Sequence, residues 1–307
     1  MTKDLTSIND LNQTELMSLL DEASALKEQT KKTRRLEVAS GRVAALVFEK
    51  PSLRTRVTFE VAMRQLGGSA VYLGPQEVGL GTREPVPDVA RNLSRWVDCI
   101  VARVFEHDKI TGLAHNATVP VVNALSDHEH PCQILADLLT IREHSGRLKG
   151  ITVCWTGDGN NVCNSLMLGC TLAGMNIQVA TPRGFEPPRP VVETCETYAR
   201  ANNCRLELTH DPFAAAMHAD YLYTDVWASM GQEEEAEQRR KIFRPFQLNK
   251  QLLEKAKPDA KILHCLPAHR GDEITAEVLD GPNSVVLDQA ENRLHAQRAL
   301  LAELLKD

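Results

Sequence analysis

The sequence predicts two α/β domains with parallel central sheets, joined by bridging helices, with a C-terminal helix returning to the first domain. Three observations carry this reading. The 307 residues supply two domains of roughly 150 residues each, enough for two buried cores. A hydrophobic share of 43 % and a charged share of 25 % match ordinary soluble chains rather than disordered or fibrous ones. Short β-branched runs alternate with longer stretches of helical period, the signature of βαβ units. No apolar run approaches the ~18 residues of a membrane span, and the polar N-terminus offers no secretory leader. The net charge of −6 argues against a general nucleic-acid binder, whose footprint is a basic patch.

In the first half, strands are expected at Arg42–Phe48, Ser69–Leu73, Cys99–Val104 and Val119–Ala124. Helical patterns lie between them at Leu53–Leu66, Asp88–Trp96 and Lys109–His115. Pro131 can open a helix running to about His144, and the break at Ser145-Gly146 puts the join near residue 140. The expected domains are 1–140, with 290–307 packing back on it, and 141–289. The second half offers strands at Ile151–Thr156, Ile177–Thr181, Leu206–Thr209, Tyr221–Asp225, Lys261–Leu266 and Ser284–Leu287. Helical stretches at Asn161–Ala173, Pro190–Ala201, Pro212–Ala219 and Leu252–Ala256 separate these, and Ala290–Leu305 closes the chain. Gln232–Arg240 is almost wholly polar, with Glu235 and Arg239 at i,i+4, and reads as a solvated helix face. None of the eight cysteines pairs as C-x-x-C, and most lie in apolar stretches. They read as free thiols of a reducing, cytoplasmic setting.

Six segments could carry chemistry. Ser52, Leu53, Arg54, Thr55 and Arg56 lie where a strand gives way to a helix, whose free N–H groups attract an anion. Arginine is disfavoured at a helix start unless an anion is bound there, so a phosphate site is the better reading than a plain N-cap. His128, His130 and Cys132 have a spacing open to zinc, but Pro131 sends the chain into a helix where their directions diverge. His130 and Gln133 could instead point together. Gly157-Asp158-Gly159-Asn160-Asn161 resembles the opening of a dinucleotide fingerprint, yet Val162 stands in place of the third glycine. Asp225, at a strand's carboxyl end, could accept from a cationic amine or merely cap. Cys265, in His264-Cys265-Leu266-Pro267, stands in a polar turn at a strand end, which favours chemistry over filling. Arg293 could serve an anion or flank a helix.

In this order, the segments resemble the ornithine carbamoyltransferases of the aspartate/ornithine carbamoyltransferase superfamily over essentially the full length. The family motif Ser-Thr-Arg-Thr-Arg appears as Ser52 to Arg56, and His-Pro-x-Gln as His130 to Gln133. Asp-x-Trp-x-Ser-Met-Gly is Asp225 to Gly231 unchanged, and His-Cys-Leu-Pro is His264 to Pro267. The resemblance implies carbamoyl transfer from carbamoyl phosphate to the δ-amine of L-ornithine. It implies that Ser52, Leu53, Arg54, Thr55, Arg103, His130, Pro131, Cys132, Gln133, Cys265, Leu266 and Arg293 hold carbamoyl phosphate. Asn161, Asp225, Ser229 and Met230 are expected to bind ornithine, and Arg103, His130 and Cys265 to act in catalysis. It further implies a cytoplasmic homotrimer without metal or organic cofactor, and without nucleic-acid or membrane partners.

Two positions depart from the pattern. Leu53 replaces the usual Thr, deleting a hydroxyl but keeping the backbone N–H. Gly79 stands where many relatives have a Gln or His that reaches carbamoyl phosphate from a neighbouring subunit, so that contact is not carried over. Among competing readings, an aspartate- or putrescine-specific relative would alter the Ser229-Met230-Gly231 loop. An NAD-dependent oxidoreductase rests on Gly157 and Gly159 alone.

Overall fold

Strand β1 (Val43–Phe48) is buried along five of its six residues, as a strand covered on both faces requires. It lies at the heart of a parallel sheet. The computed structural model describes residues 3–33, 36–228 and 236–306, and it divides into two compact units, 1–139 with 291–307 and 140–290. The chain crosses from one unit to the other within the helices Pro131–Ser145 and Val286–Leu304.

In the first unit, β2 (Ser69–Leu73), β3 (Cys99–Arg103) and β4 (Val121–Leu125) complete a sheet of order β2-β1-β3-β4. Every pairing is parallel, with Val43 beside Ser69, Ala44 beside Cys99 and Ile100 beside Val121. Apolar side chains of these strands and of the helices Val86–Leu93 and His107–Asn116 form a core with Ala45, Val47, Val89, Ile100, Ile110 and Leu113. β2 is one edge, and Ser69 and Val71 on it are exposed. The chain moves from β1 to β2 on one side, then to β3 on the other. The carboxyl ends of β1 and β3 therefore flank a topological switch, where ligands of open α/β sheets bind.

In the second unit, β5 (Thr152–Thr156), β6 (Asn176–Ala180), β7 (Leu206–Thr209), β8 (Tyr221–Thr224) and β9 (Lys261–His264) run in the order β7-β6-β5-β8-β9. Again all pairings are parallel. Here the switch lies between β5 and β8. The core gathers Cys154, Leu222, Phe246, Leu248, Ile262 and Ile274.

Besides the short helices Pro75–Val78 and Ala276–Leu279, which were not anticipated, three differences from expectation bear on the fold. Ser284–Leu287 is not a strand. Ser284 makes a single bridge to Ile262, Val285 N donates to the Ile262 carbonyl at 3.1 Å, and the chain then enters the helix Val286–Leu304. A long helix, Gln13–Lys32, was not anticipated; Asn12 and Glu15 form its capping box, and Leu16, Leu19, Leu20, Ala23 and Leu26 are its buried stripe. The solvated face expected at Gln232–Arg240 is corrected at Arg239. Glu235 and residues 232–234 lie outside the described residues, but Arg239, in the helix Ala236–Phe243, is only 6 % exposed. A guanidinium so buried needs a partner, and it has found Asp158.

Candidate active site

In the first unit, three strand ends converge on one cluster. After β1 the chain turns at Ser52, whose extended backbone and side chain cap the helix Leu53–Gln65 by accepting from Thr55 N at 3.3 Å. The first turn carries no acidic side chain, and Leu53 is 76 % exposed. Its N–H groups are therefore offered to an anion from outside the helix. Arg103 ends β3 beside Phe48, and His130 follows β4, just before the helix Pro131–Ser145. His130 is 5 % exposed. Burial first, then the guanidinium groups of Arg293, Arg103 and Arg54, holds its imidazole well below the usual histidine range, so the ring stays neutral. One uncharged ring thus sits within the field of three cations, an arrangement that an anion would relieve.

Arg293 and Gln133 are parts of one ladder. Arg293 Nη1 donates to Gln133 Oε1, Arg293 Nη2 donates to Thr55 Oγ1 at 3.1 Å, and Gln133 Nε2 donates to Asp137 at 2.8 Å. Arg293 is 2 % exposed and couples the returning helix to the first turn of the helix Leu53–Gln65. Arg56, by contrast, lies over the Tyr72 ring at 3.8 Å and pairs with Glu60, away from this cluster. The Cys132 thiol is buried, donates to the Asn123 carbonyl at 3.4 Å and is pushed up to about 12 by burial, so it serves the fold. The His-x-His-x-Cys spacing does not gather: His128 packs on His107, with ring centroids 5.2 Å apart. Lys50 was not singled out from sequence. It lies over the Phe105 ring at 4.2 Å, and burial and Arg103 lower its pKa. Gly79 takes φ +57°, and a Cβ there would approach the Arg83 Cβ to 2.7 Å. Its turn accounts for glycine at that departure.

In the second unit, the ends of β5, β8 and β9 meet at Asp225, a carboxylate that is 7 % exposed. Cys265 Sγ donates to Asp225 Oδ1 at 2.9 Å, and Asn160 Nδ2 donates to Asp225 Oδ2 at 2.9 Å. Asn160 was quoted in its motif but not chosen. It also caps the helix Asn161–Leu172, accepting from Val162 N and Cys163 N. Asn161 is half-buried at the first position of that helix, and its Oδ1 accepts from Val162 N at 3.0 Å. Ser229 and Met230 lie outside the described residues.

The His264-Cys265-Leu266 turn has its own support. Leu266 adopts φ +58°, the left-handed region that costs an L-residue with a Cβ roughly 1–2 kcal/mol. Its N–H donates to His264 Nδ1 at 2.9 Å, so His264 carries its proton on Nε2 and donates to the buried Glu273 at 3.1 Å. Ligand atoms of Asp225, His264 and Cys265 all lie within 4.8 Å of one another. Both His264 nitrogens are already committed, however. That leaves a thiol and a carboxylate, fewer protein ligands than a zinc site uses.

Two units, each presenting polar groups at the carboxyl edge of a parallel sheet, one cationic and one acidic, suit a class of α/β enzyme that holds two small substrates of opposite charge. Comparison with known proteins makes this specific. Residues 3–143 match the family model described as aspartate/ornithine carbamoyltransferase, carbamoyl-P binding domain. Residues 149–304 match that described as aspartate/ornithine carbamoyltransferase, Asp/Orn binding domain. An ornithine carbamoyltransferase of Pyrococcus abyssi is 53 % identical over 303 residues, covering 99 % of this chain and 96 % of that relative. The solved ornithine carbamoyltransferase of Pyrococcus furiosus superposes with a TM-score of 0.95 at 53 % identity, over 97 % of this chain and 96 % of that one. That of Thermus thermophilus gives 0.89 at 51 % identity, over 100 % of both chains. The chain belongs to the aspartate/ornithine carbamoyltransferase family.

Proposed function

We propose that the chain is an ornithine carbamoyltransferase, moving the carbamoyl group of carbamoyl phosphate to the δ-amine of L-ornithine. The products are L-citrulline and phosphate, a reaction that serves arginine biosynthesis and, in reverse, arginine degradation. The carrying observation is the Asp225 carboxylate, buried at the end of β8 with Asn160 and Cys265 on its oxygens. A carboxylate held there has acceptor capacity left for an ammonium. Full-length similarity to enzymes of that name supports the same reading.

In this reading residues 1–140 with 290–307 take the donor, and 141–289 take the acceptor. Ser52, Leu53, Arg54 and Thr55 receive the phosphate at the helix start, while Arg54 and Arg103 offset the charge of the leaving group. His130, neutral, can donate a ring N–H to the carbamoyl oxygen, beside Pro131, Cys132 and Gln133. The surrounding arginines then meet the oxyanion as it develops. Arg293 holds Gln133 and Thr55 in place. Asn161, Asp225, Ser229 and Met230 bind ornithine, with Cys265 and Leu266 at the reacting amine. The amine lone pair attacks the carbamoyl carbon, the carbon–oxygen bond to phosphate breaks, phosphate leaves with the electron pair, and the nitrogen sheds a proton.

The assembly proposed is a cytoplasmic homotrimer. Val57 and Val71 on the β2 side of the first unit are exposed apolar side chains of the kind a subunit contact covers. Among the described residues no helix is long and apolar enough to cross a membrane. Light scattering that returned the mass of a single chain would remove the trimer. For the reaction, the purified chain is offered carbamoyl phosphate with ornithine, putrescine, lysine or aspartate. Ornithine is expected to lead by roughly a hundredfold or more, since a site built to bind polar groups rejects analogues lacking them. Preference for putrescine or aspartate overturns the assignment.

A further inference from the structure

We infer that Arg239 is a positioning residue for the ornithine site, pinning the Asp225 loop to the turn that carries Asn160. The inference rests on the reading of Asp225 as an ornithine-binding residue. Arg239 sits on the helix Ala236–Phe243 and holds the chain two residues from Asp225 and two residues from Asn160. Its Nε donates to the Trp227 carbonyl, and its Nη2 forms an ion pair with Asp158. Its guanidinium carbon lies 4.9 Å from the ring centroids of both Phe185 and Phe243, which meet each other edge-to-face at 4.8 Å. A guanidinium packed on an aromatic pair while its forked donors reach two separate acceptors suits arginine better than lysine.

The surroundings leave this arrangement little freedom. Gly159 N donates to the Phe185 carbonyl at 2.9 Å, and a Cβ on Gly159 would meet Pro187 N at 2.4 Å. The turn is thus pressed against the same loop that stacks on Arg239. Trp227 is 3 % exposed and stacks on Phe243 at 6.1 Å. Trp155 Nε1 donates to the Asp158 carbonyl at 2.9 Å, anchoring the other end to β5. The guanidinium therefore ties the loop of Asp225 to the turn of Asn160 beyond the ends of the paired strands β5 and β8, where Thr224 Oγ1 donates to the Thr156 carbonyl at 2.7 Å. A shift of either would separate the Asn160 amide from the carboxylate it orients.

The test compares Arg239→Gln, Arg239→Lys, Asp158→Asn and Asp225→Asn with the parent enzyme, by steady-state kinetics and calorimetry with carbamoyl phosphate. Arg239→Gln is expected to raise the ornithine KM at least fivefold, more than it lowers kcat, with carbamoyl phosphate affinity unchanged. Asp158→Asn, which keeps the side-chain size, should shift the ornithine KM in the same direction. Arg239→Lys should recover part of the loss through the ion pair. An Arg239→Gln enzyme with the parent ornithine KM overturns the inference. So does equal loss of both substrates in Arg239→Gln and Asp158→Asn, since that marks general damage to the fold. If Asp225→Asn itself leaves ornithine binding unchanged, the assignment of the site fails first. If Asp225→Asn weakens ornithine and Arg239→Gln does not, the pin alone fails.

Discussion

A thiol 2.9 Å from a carboxylate oxygen is a hydrogen-bond donor, and that bond defines what Cys265 does in the resting site. It orients Asp225 and, under the proposed function, keeps a sulfur beside the acceptor amine. The amine poses the harder problem. An alkyl ammonium like that of lysine has a solution pKa near ~10.4, so presenting it neutral at pH 8 costs about 3 kcal/mol at 1.36 kcal/mol per unit. Cys265→Ala is therefore expected to lower kcat at least tenfold while carbamoyl phosphate still binds, with the parent rate rising from pH 6 to 8.5. Parent-level kcat across that range would reduce Cys265 to a packing residue. Residue chemistry of this sort was partly legible in the sequence, because Asp225 and Cys265 stand at strand ends in polar turns. Their orienting partners were not. Glu273 reaches His264 from a separate turn, and Arg239 reaches Asp158 across 81 positions. Glu129, inside the quoted His-Glu-His segment, binds Ile8 N at 3.1 Å across 121 positions. No periodicity records such pairs.

At the scale of elements, strands were read well where both faces are covered, because β1, β3 and β5 carry unbroken apolar centres that are buried throughout. Val285-Val286-Leu287 misled for the same reason: it begins with a strand-like bond to Ile262 and then coils. The turn after β5 shows how an element shapes a site. A dinucleotide fingerprint uses its glycines to let a pyrophosphate approach, whereas here Gly159 lets the backbone of 185–187 approach. Gly159→Ala must displace that backbone, since its Cβ would lie 2.6 Å from the Glu186 carbonyl carbon and 2.7 Å from the Phe185 oxygen. Overpacking of this kind costs roughly 1–3 kcal/mol. The expected result is a lower unfolding midpoint together with a raised ornithine KM, carbamoyl phosphate affinity being spared. Unchanged stability would mean that the loop yields freely and the glycine is incidental.

For the whole molecule, both units solve the same problem in the same way: a parallel sheet reverses its strand order, and the crevice beyond the strand ends is filled with polar groups. The cost of that solution is buried ionisable side chains, and it sets the acid limit of the fold. His130 is held well below the usual histidine range by burial and then by Arg293, Arg103 and Arg54. His107 and His295 are also lowered, each chiefly by burial. In the unfolded chain these rings take up protons as the pH falls through about 6.5, the ordinary value; in the folded chain they resist. The unfolded state then binds more protons, so stability declines as pH drops below that point, and His130 alone contributes a slope of up to about 1.36 kcal/mol per pH unit. Asp158 and Asp4, both raised by burial, act in the opposite sense: the folded chain keeps their protons longer, and their contribution is lost as pH rises above the ordinary 3.8. That window opens lower than the histidine one, so the histidines govern the onset of acid unfolding. Denaturant titrations between pH 7 and 5 should show stability falling, and His130→Asn should flatten that fall while leaving the slopes from His107 and His295. If parent and variant curves run parallel across the range, His130 is not the group that sets the limit.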